Sequence, residues 1–108
     1  MTHPHMTLEQ LRRRNRDLIE EERKLSKGAT SLWYLSYARE KEFLGGAIIR
    51  AYGFVHACQR ARELGINPGG CVRGAPIPSS QTPAVQCFNK LLPLAELEKC
   101  FGEMIRLH

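Results

Sequence analysis

The spacing of hydrophobic residues divides the chain into segments of helical and of extended period. The first helical segment runs from Thr7 to about Lys27. Thr7 and Gln10 have the spacing of a capping box, in which each side chain accepts a hydrogen bond from the other residue's backbone amide. Gly28 suits the left-handed conformation that ends many helices. The sequence therefore predicts an N-terminal helix, preceded by a frayed tail over residues 1–6.

Two neighbouring stretches of extended period follow. Residues 32–38 and 43–51 are rich in aromatic and aliphatic side chains that alternate between two faces. The charged residues 39–42 between them predict a hairpin loop. Gly45 and Gly46 interrupt the second strand, and paired glycines in a strand indicate a bulge or the close approach of another backbone or a ligand.

A helix and a third strand come next along the chain. Residues 54–64 have helical spacing, and Gly65 suits the left-handed position at the helix end. Residues 67–70, Asn-Pro-Gly-Gly, predict a type II turn. Residues 71–78 predict a strand, which the prolines near its end place at a sheet edge. A strand–helix–strand unit in one sheet is expected to be parallel with a right-handed crossover.

The C-terminal part of the chain predicts two more helices. They span residues 83–91 and about 94–107, and Pro93 separates them. The predicted fold class is α+β, with an N-terminal amphipathic helix, a three-stranded mixed sheet in the order β-β-α-β and two C-terminal helices. Residues 7–28 form the N-terminal helix and residues 29–108 a single α/β binding domain, since a chain of this length supports one hydrophobic core.

The order of charges along the N-terminal helix suggests self-association. Residues 12–16 include four arginines and residues 17–22 include four acids, an order that opposes the helix macrodipole. Two antiparallel copies would place the basic block of one helix against the acidic block of the other. Packing on the chain's own domain and an arginine patch for nucleic acid are the alternatives. If the helix is read as a heptad repeat, the residues predicted to line the dimer seam are Leu11, Asn15, Leu18, Glu22 and Leu25.

Composition and charge restrict the class of protein. The net charge is +5 and the pI is about 9.3, which favours anionic partners in general. The four cysteines have neither a Cys-x-x-Cys pair nor zinc-finger spacing, so we expect no metal site. The N-terminus lacks a signal-peptide pattern, and no apolar run is long enough for a membrane span. We therefore expect a cytoplasmic protein with free thiols, a disulfide being the less favoured alternative.

The sequence offers little for catalysis and more for anion binding. Residues 43–90 carry five basic side chains and one acid, so carboxylates for acid–base catalysis are scarce. We expect no enzymatic activity and no cofactor. Arginine forks hold phosphate, glycine amides cradle anions and aromatic rings stack on bases. We predict a phosphate-ligand site near the turn and strand of residues 65–73, although these glycines are also explained by the turn and the helix end alone. The predicted ligand-binding residues are Trp33, Arg50, Asn67, Gly69, Gly70 and Arg73.

The motifs WYLSYA, FLG, LGINPGG and a final IP, all within residues 32–78, resemble a set of small uncharacterised proteins of bacteriophages and prophages. LGINPGG is the most specific of these motifs. Many members of that set have an acidic residue where this chain has Cys71. The resemblance implies an accessory protein that works in the cytoplasm of a bacterial host, and it implies no activity.

Three functions follow as hypotheses. The leading one is a non-catalytic counter-defence protein, a homodimer or larger, that sequesters a nucleotide-type signal. The second is an inhibitor that binds a host nucleic-acid-processing defence complex through protein–protein contacts. The third is direct DNA binding, which requires a steep salt dependence. The link from phage genes of this size to counter-defence is an analogy and not an argument from a site.

Overall fold

The computed structural model describes residues 7–101, which form one three-stranded sheet with helical segments on both faces. The sheet has the order β2-β1-β3, and both outer strands are antiparallel to β1. The α+β class is therefore confirmed for this part of the chain. The elements are α1 (Leu8–Leu25), β1 (Ser31–Arg39), β2 (Glu42–Ala51), α2 (Phe54–Glu63), β3 (Cys71–Pro76), single 3₁₀ turns at Ser79–Gln81 and Val85–Cys87, and α3 (Leu94–Phe101).

The prediction of a mixed sheet is wrong, because β1 lies between β2 and β3. The strands β2 and β3 do run in the same direction, and α2 connects them, but they are not neighbours. The outer edge of β2 is occupied by the segment after the 3₁₀ turns, since the amide and carbonyl of Gly46 bond to the carbonyl and amide of Leu92 at 2.9 and 2.8 Å. Because that edge of the sheet is taken, β3 pairs with β1, on the side of β1 that β2 leaves free.

The predicted helix over residues 83–91 is also wrong. This segment has one 3₁₀ turn and then a bend, where Asn89 has φ of 62°, and it meets β2 through isolated bridges from Phe88 to Ile48 and from Leu92 to Gly46. Hydrogen bonds to the sheet edge replace the bonds that a helix would have made within the segment. The last helix begins at Leu94 as predicted, and the part predicted beyond Phe101 lies outside the described residues.

The local signals at the ends of the helices are confirmed. The hydroxyl of Thr7 accepts from the amide of Gln10 at 3.1 Å, and the side chain of Gln10 accepts from the amide of Thr7 at 2.8 Å, which completes the capping box. Gly28 and Gly65 follow their helices with φ of 77° and 72°. Both have the left-handed conformation that glycine adopts at low cost.

The paired glycines of β2 mark both a bulge and a close approach. The register with β1 shifts between Tyr37, which faces Gly45, and Ala38, which faces Phe43, so β2 contains one extra residue. A β-carbon on Gly46 would lie 2.7 Å from the ring of Tyr34. Glycine is therefore needed at Gly46 for packing.

The sheet is covered on both faces, which gives three layers. The face towards α2 and the face towards α3 each hold a cluster of buried side chains. The first cluster includes Leu35, Tyr37, Ala47, Ile49, Ala57 and Ala61, and the second includes Leu32, Tyr34, Ile48, Ile77 and Leu97.

A disulfide joins Cys87 to Cys100 on the α3 side of the sheet, so the expectation of free thiols is wrong for this pair. The 3₁₀ turn and α3 pack on the same face, which brings the two α-carbons to 6.4 Å although 13 positions separate them in sequence. Cys58, which is half-buried, and Cys71, which is exposed, are free thiols.

Helix α1 packs outside these layers, mainly against α2. None of its residues is fully buried, and the side facing α2 is half-buried at Asn15, Leu18, Ile19, Glu22 and Ser26. The structure thus attaches a long, highly charged helix to the domain mainly through one short helix.

Candidate functional site

The two arginines predicted to hold phosphate are far apart. Arg50 lies opposite Leu32 on β2, and Arg73 lies opposite Ser36 on β3. Both are exposed on the α3 side of the sheet, but they belong to its two outer strands and differ by four positions along β1. This places their α-carbons about 16 Å apart, from the spacing of residues and strands in a sheet.

The Asn-Pro-Gly-Gly turn lies at the other end of the sheet from Arg50. A β-carbon on Gly70 would be 2.5 Å from the carbonyl oxygen of Ala38, so the turn packs directly against the end of β1. The amide of Gly69 donates to the side-chain oxygen of Asn67 at 2.8 Å. Gly69 has φ of 90°, as the third position of a type II turn requires. Packing and turn geometry therefore account for these residues.

Trp33 lies on the opposite face of the sheet from both arginines. It is half-buried and packs against the α2-side cluster, and its indole nitrogen is buried without a hydrogen-bond partner in the described part of the chain. The structure thus brings Asn67, Gly69 and Gly70 together in one turn, with Arg73 a few residues further on. It does not bring Trp33 or Arg50 to them.

An open groove of about 650 Å³ lies between α1 and α2. On α1 the lining positions 9, 12 and 16 follow helical spacing along one side, and on α2 Gln59 and Arg62 are three residues apart and share a side. The two helices run in opposite directions, since Glu22 near the end of α1 contacts the start of α2, whereas Arg12 and Arg16 line the groove with Gln59 and Arg62 near the end of α2. The groove is lined by Glu9, Arg12, Asn15, Arg16, Gln59 and Arg62.

The carboxylate of Glu22 fixes the position of α1 on α2. Its two oxygens accept from the amides of Val55 and His56, both at 2.9 Å. These amides belong to the first turn of α2, where the helix has no partner of its own and attracts negative charge. Gly53 leaves the space that this contact needs, because a β-carbon there would lie 2.5 Å from Glu22 Cδ.

The groove carries an excess of positive charge. Within residues 7–101, none of Arg12, Arg16 and Arg62 forms an ion pair. The one carboxylate on the wall, Glu9, lies 3.7 Å from Arg13 in an exposed pair that contributes little to stability. Three guanidinium groups from two helices therefore face one cavity whose lining includes a single carboxylate.

His56 is engaged in the structure beside the Glu22 contact. Its ring stacks on Tyr52 with centroids 4.6 Å apart, and its Nδ1 accepts from the amide of Tyr52 at 2.9 Å. Burial, and then the nearby charge of Arg60, lower the pKa of His56. Two residues further along α2, burial raises the pKa of the Cys58 thiol, which therefore lacks the character of a thiolate nucleophile.

Arg50 lines a smaller cavity of about 260 Å³ at the start of β1. The other polar groups on its wall are hydroxyls, and the hydroxyl of Thr82 already donates to the carbonyl of Ser79 at 3.0 Å. With one guanidinium, it offers less positive charge than the groove. Its remaining lining residues are Thr30, Ser31, Leu32 and Ile77.

The five residues predicted for dimerisation divide into two groups. Asn15, Leu18 and Glu22 are half-buried, and Glu22 binds α2 of its own chain. Leu11 and Leu25 are 43% and 79% exposed.

None of the six residues that line the groove was among the predicted ligand-binding residues, and of the six only Asn15 was predicted for another site, the dimer seam. The arginine block of α1 and the basic character of α2 were visible, but the sequence did not show that the two helices pack side by side. The available signal was Glu22, an acid on the half-apolar side of α1, which is suited to capping a helix that begins with glycine.

No family model, curated protein or solved structure matches this chain. Over residues 7–101, no helix combines the length and the apolar character that crossing a membrane demands. The same range holds no group of three or more His, Cys, Asp or Glu side chains that could bind a metal ion.

Proposed function

We propose that the protein binds a small phosphate-bearing ligand, such as a nucleotide, in the groove between α1 and α2, and that it acts by binding and not by catalysis. The observation that carries the proposal is the convergence of Arg12, Arg16 and Arg62 on one cavity. Guanidinium groups recognise phosphate through paired hydrogen bonds as well as charge.

The other side chains of the groove fit this role. Asn15 and Gln59 add neutral amide donors beside the arginines. A volume of about 650 Å³ lies within the range of small-molecule sites, roughly 300–1,000 Å³. The six lining residues include no histidine, cysteine or hydroxyl group, and their one carboxylate, Glu9, is paired with Arg13, which supports binding over nucleophilic or acid–base chemistry.

The same lining indicates which part of a nucleotide is recognised. None of the six side chains is aromatic, so the groove offers no surface on which a base can stack. We expect affinity to rise with the number of phosphates and to depend weakly on the base. A long nucleic-acid backbone fits less well, because the acids of residues 17–22 directly follow Arg16 along α1 and repel phosphate.

The biological setting remains the one predicted from the sequence. A counter-defence role in a bacteriophage or prophage, with the nucleotide as a sequestered signal in the host cytoplasm, rests on the resemblance of residues 32–78. The groove supports the binding step of that role.

Calorimetric titration with linear and cyclic nucleotides tests the proposal. The Arg16→Gln and Arg62→Gln variants should each weaken binding about tenfold or more, since a hydrogen bond to a charged group contributes about 1.5–3 kcal/mol. Arg50→Gln is the matched control, because it removes an exposed arginine on the other side of the fold. If no nucleotide binds the folded protein, or if Arg50→Gln weakens binding as much as Arg62→Gln, the proposed function is wrong.

A further inference from the structure

Helix α1 has an apolar flank that the groove does not use and that α2 covers only in part, at Leu18. The α2-facing side includes Asn15 and Glu22, and the groove side includes Arg12 and Arg16. Beside them, Leu11, Leu18 and Leu25 follow one another at intervals of seven residues, which aligns them in one stripe along the helix.

This leucine stripe is largely uncovered in the single chain. Leu11 is 43% exposed and Leu25 is 79% exposed, while Leu18 between them is half-buried. The stripe spans 14 residues, or about 21 Å of helix. Apolar side chains aligned over this length on a peripheral helix mark a surface for a partner helix.

We propose that the leucine stripe binds the leucine stripe of a second copy of this chain in antiparallel orientation. With Leu18 at the midpoint, Leu11 of each copy faces Leu25 of the other, so the three leucines form a symmetric contact. The seam differs from the one read from the sequence, because Asn15 and Glu22 are turned towards α2 of their own chain.

The charges that flank the stripe identify the occupant as a second copy. Arg14 lies between Leu11 and Leu18 on the side away from α2, and Glu21 lies in the same position between Leu18 and Leu25. The antiparallel arrangement places Arg14 of each copy against Glu21 of the other. A parallel arrangement would place like charges together and is disfavoured.

The dimer and the groove use different sides of α1, so either proposal stands if the other fails. A contact made by one helix per chain is smaller than the roughly 800 Å² per partner of a stable interface. We therefore expect a dimer that dissociates on dilution and not a permanent assembly.

Sedimentation analysis of the full chain over a concentration series tests the pairing. The wild-type chain should show a concentration-dependent dimer. Arg14→Glu and Glu21→Arg should each raise the dimer dissociation constant about tenfold or more, because each places like charges across the contact. The double variant Arg14→Glu/Glu21→Arg exchanges the two charges and should restore the dimer.

Two further variants complete the test. Leu25→Asp should abolish the dimer while circular dichroism stays unchanged, since this side chain is 79% exposed in the folded chain. Lys24→Glu reverses a charge on the outer side of α1 and should leave the dimer intact. A wild-type chain that stays monomeric at every concentration, a double variant that stays as dissociated as the single ones, or a Leu25→Asp dimer would each overturn the proposal.

Discussion

At the scale of single residues, Glu22 joins helix α1 to helix α2. Its carboxylate accepts hydrogen bonds from two amides at the start of α2, and it is half-buried between the helices. Gly53 at the start of α2 offers no side chain for this purpose, so Glu22, which lies 33 positions before Val55, supplies the cap. The groove has its shape because this contact holds α1 in place.

We predict that Glu22→Ala lowers the free energy of unfolding by about 1–3 kcal/mol, because it leaves two partly buried amides without partners. Chemical denaturation followed by circular dichroism measures the change. Asp17→Asn is the control, since it removes an exposed acid from the same helix and should change stability by less than about 0.5 kcal/mol. A Glu22→Ala variant as stable as this control would show that the cap does not hold the helix.

We predict that His56 makes the free energy of unfolding depend on pH. Burial and Arg60 lower its pKa below the ordinary value of 6.5, so below that pH the unfolded chain binds a proton that the folded chain does not. Glu22 and Glu63 act in the opposite direction, but burial dominates. The free energy of unfolding should therefore fall as the pH drops from 6.5 towards the pKa of folded His56, and this contribution should be constant above pH 6.5.

The pH prediction is checked by denaturation at several pH values and by NMR titration of the histidine resonances. The His56→Asn variant retains a side-chain acceptor near the amide of Tyr52 and removes the titrating group, so its stability should vary less over this range. An NMR pKa for His56 at or above 6.5 would contradict the assigned effect of burial.

At the scale of elements, local chemistry could be predicted and pairing could not. The capping box at Thr7, the left-handed glycines and the bulge in β2 depend on neighbouring residues, and each was visible in the sequence. The pairing of β3 with β1 and the path of residues 88–92 depend on which edges of the sheet are free. The pattern of hydrophobic residues does not show which edges are free. The helical spacing of residues 83–91 was misleading because hydrogen bonds to β2 outweigh a weak helical preference.

The candidate site shows the same division. The sequence indicated an arginine-based anion site, but it placed the arginines on strands and around the turn. Arg50 and Arg73 are on different outer strands, whereas Arg16 and Arg62 converge because two helices pack side by side. The positive charge of α1 and α2 could be read from the sequence. That their arginines converge on one groove became visible only from the packing of α1 on α2.

We predict that the disulfide between Cys87 and Cys100 raises the free energy of unfolding, because it links the 3₁₀ turn to α3. It closes a loop across 13 positions, and removing such a link costs about 2–4 kcal/mol in the chain-entropy model. We expect Cys87→Ala/Cys100→Ala to lose about this much free energy of unfolding in denaturant. Cys71→Ala, at an exposed free thiol, is the control. Equal stability of the double variant and the control would contradict the prediction.

At the scale of the whole molecule, the sheet and its two covering layers form a support for α1. The core lies within the layers, while the groove and the leucine stripe, the two surfaces proposed to bind partners, both lie on a helix outside them. Glu22 links the two parts. The glycine turn, the most distinctive motif of the sequence, contributes no residue to the lining of the groove.

An NMR titration of the full chain with a nucleoside triphosphate tests the central proposal, the phosphate site between α1 and α2, most directly. We predict that the backbone amide resonances of residues 12–16 and 59–62 shift on addition of the ligand, and that those of residues 67–73 and of Arg50 do not. Shifts confined to residues 67–73 would place the site at the turn and strand instead. An unchanged spectrum at millimolar ligand would show that the groove does not bind phosphate.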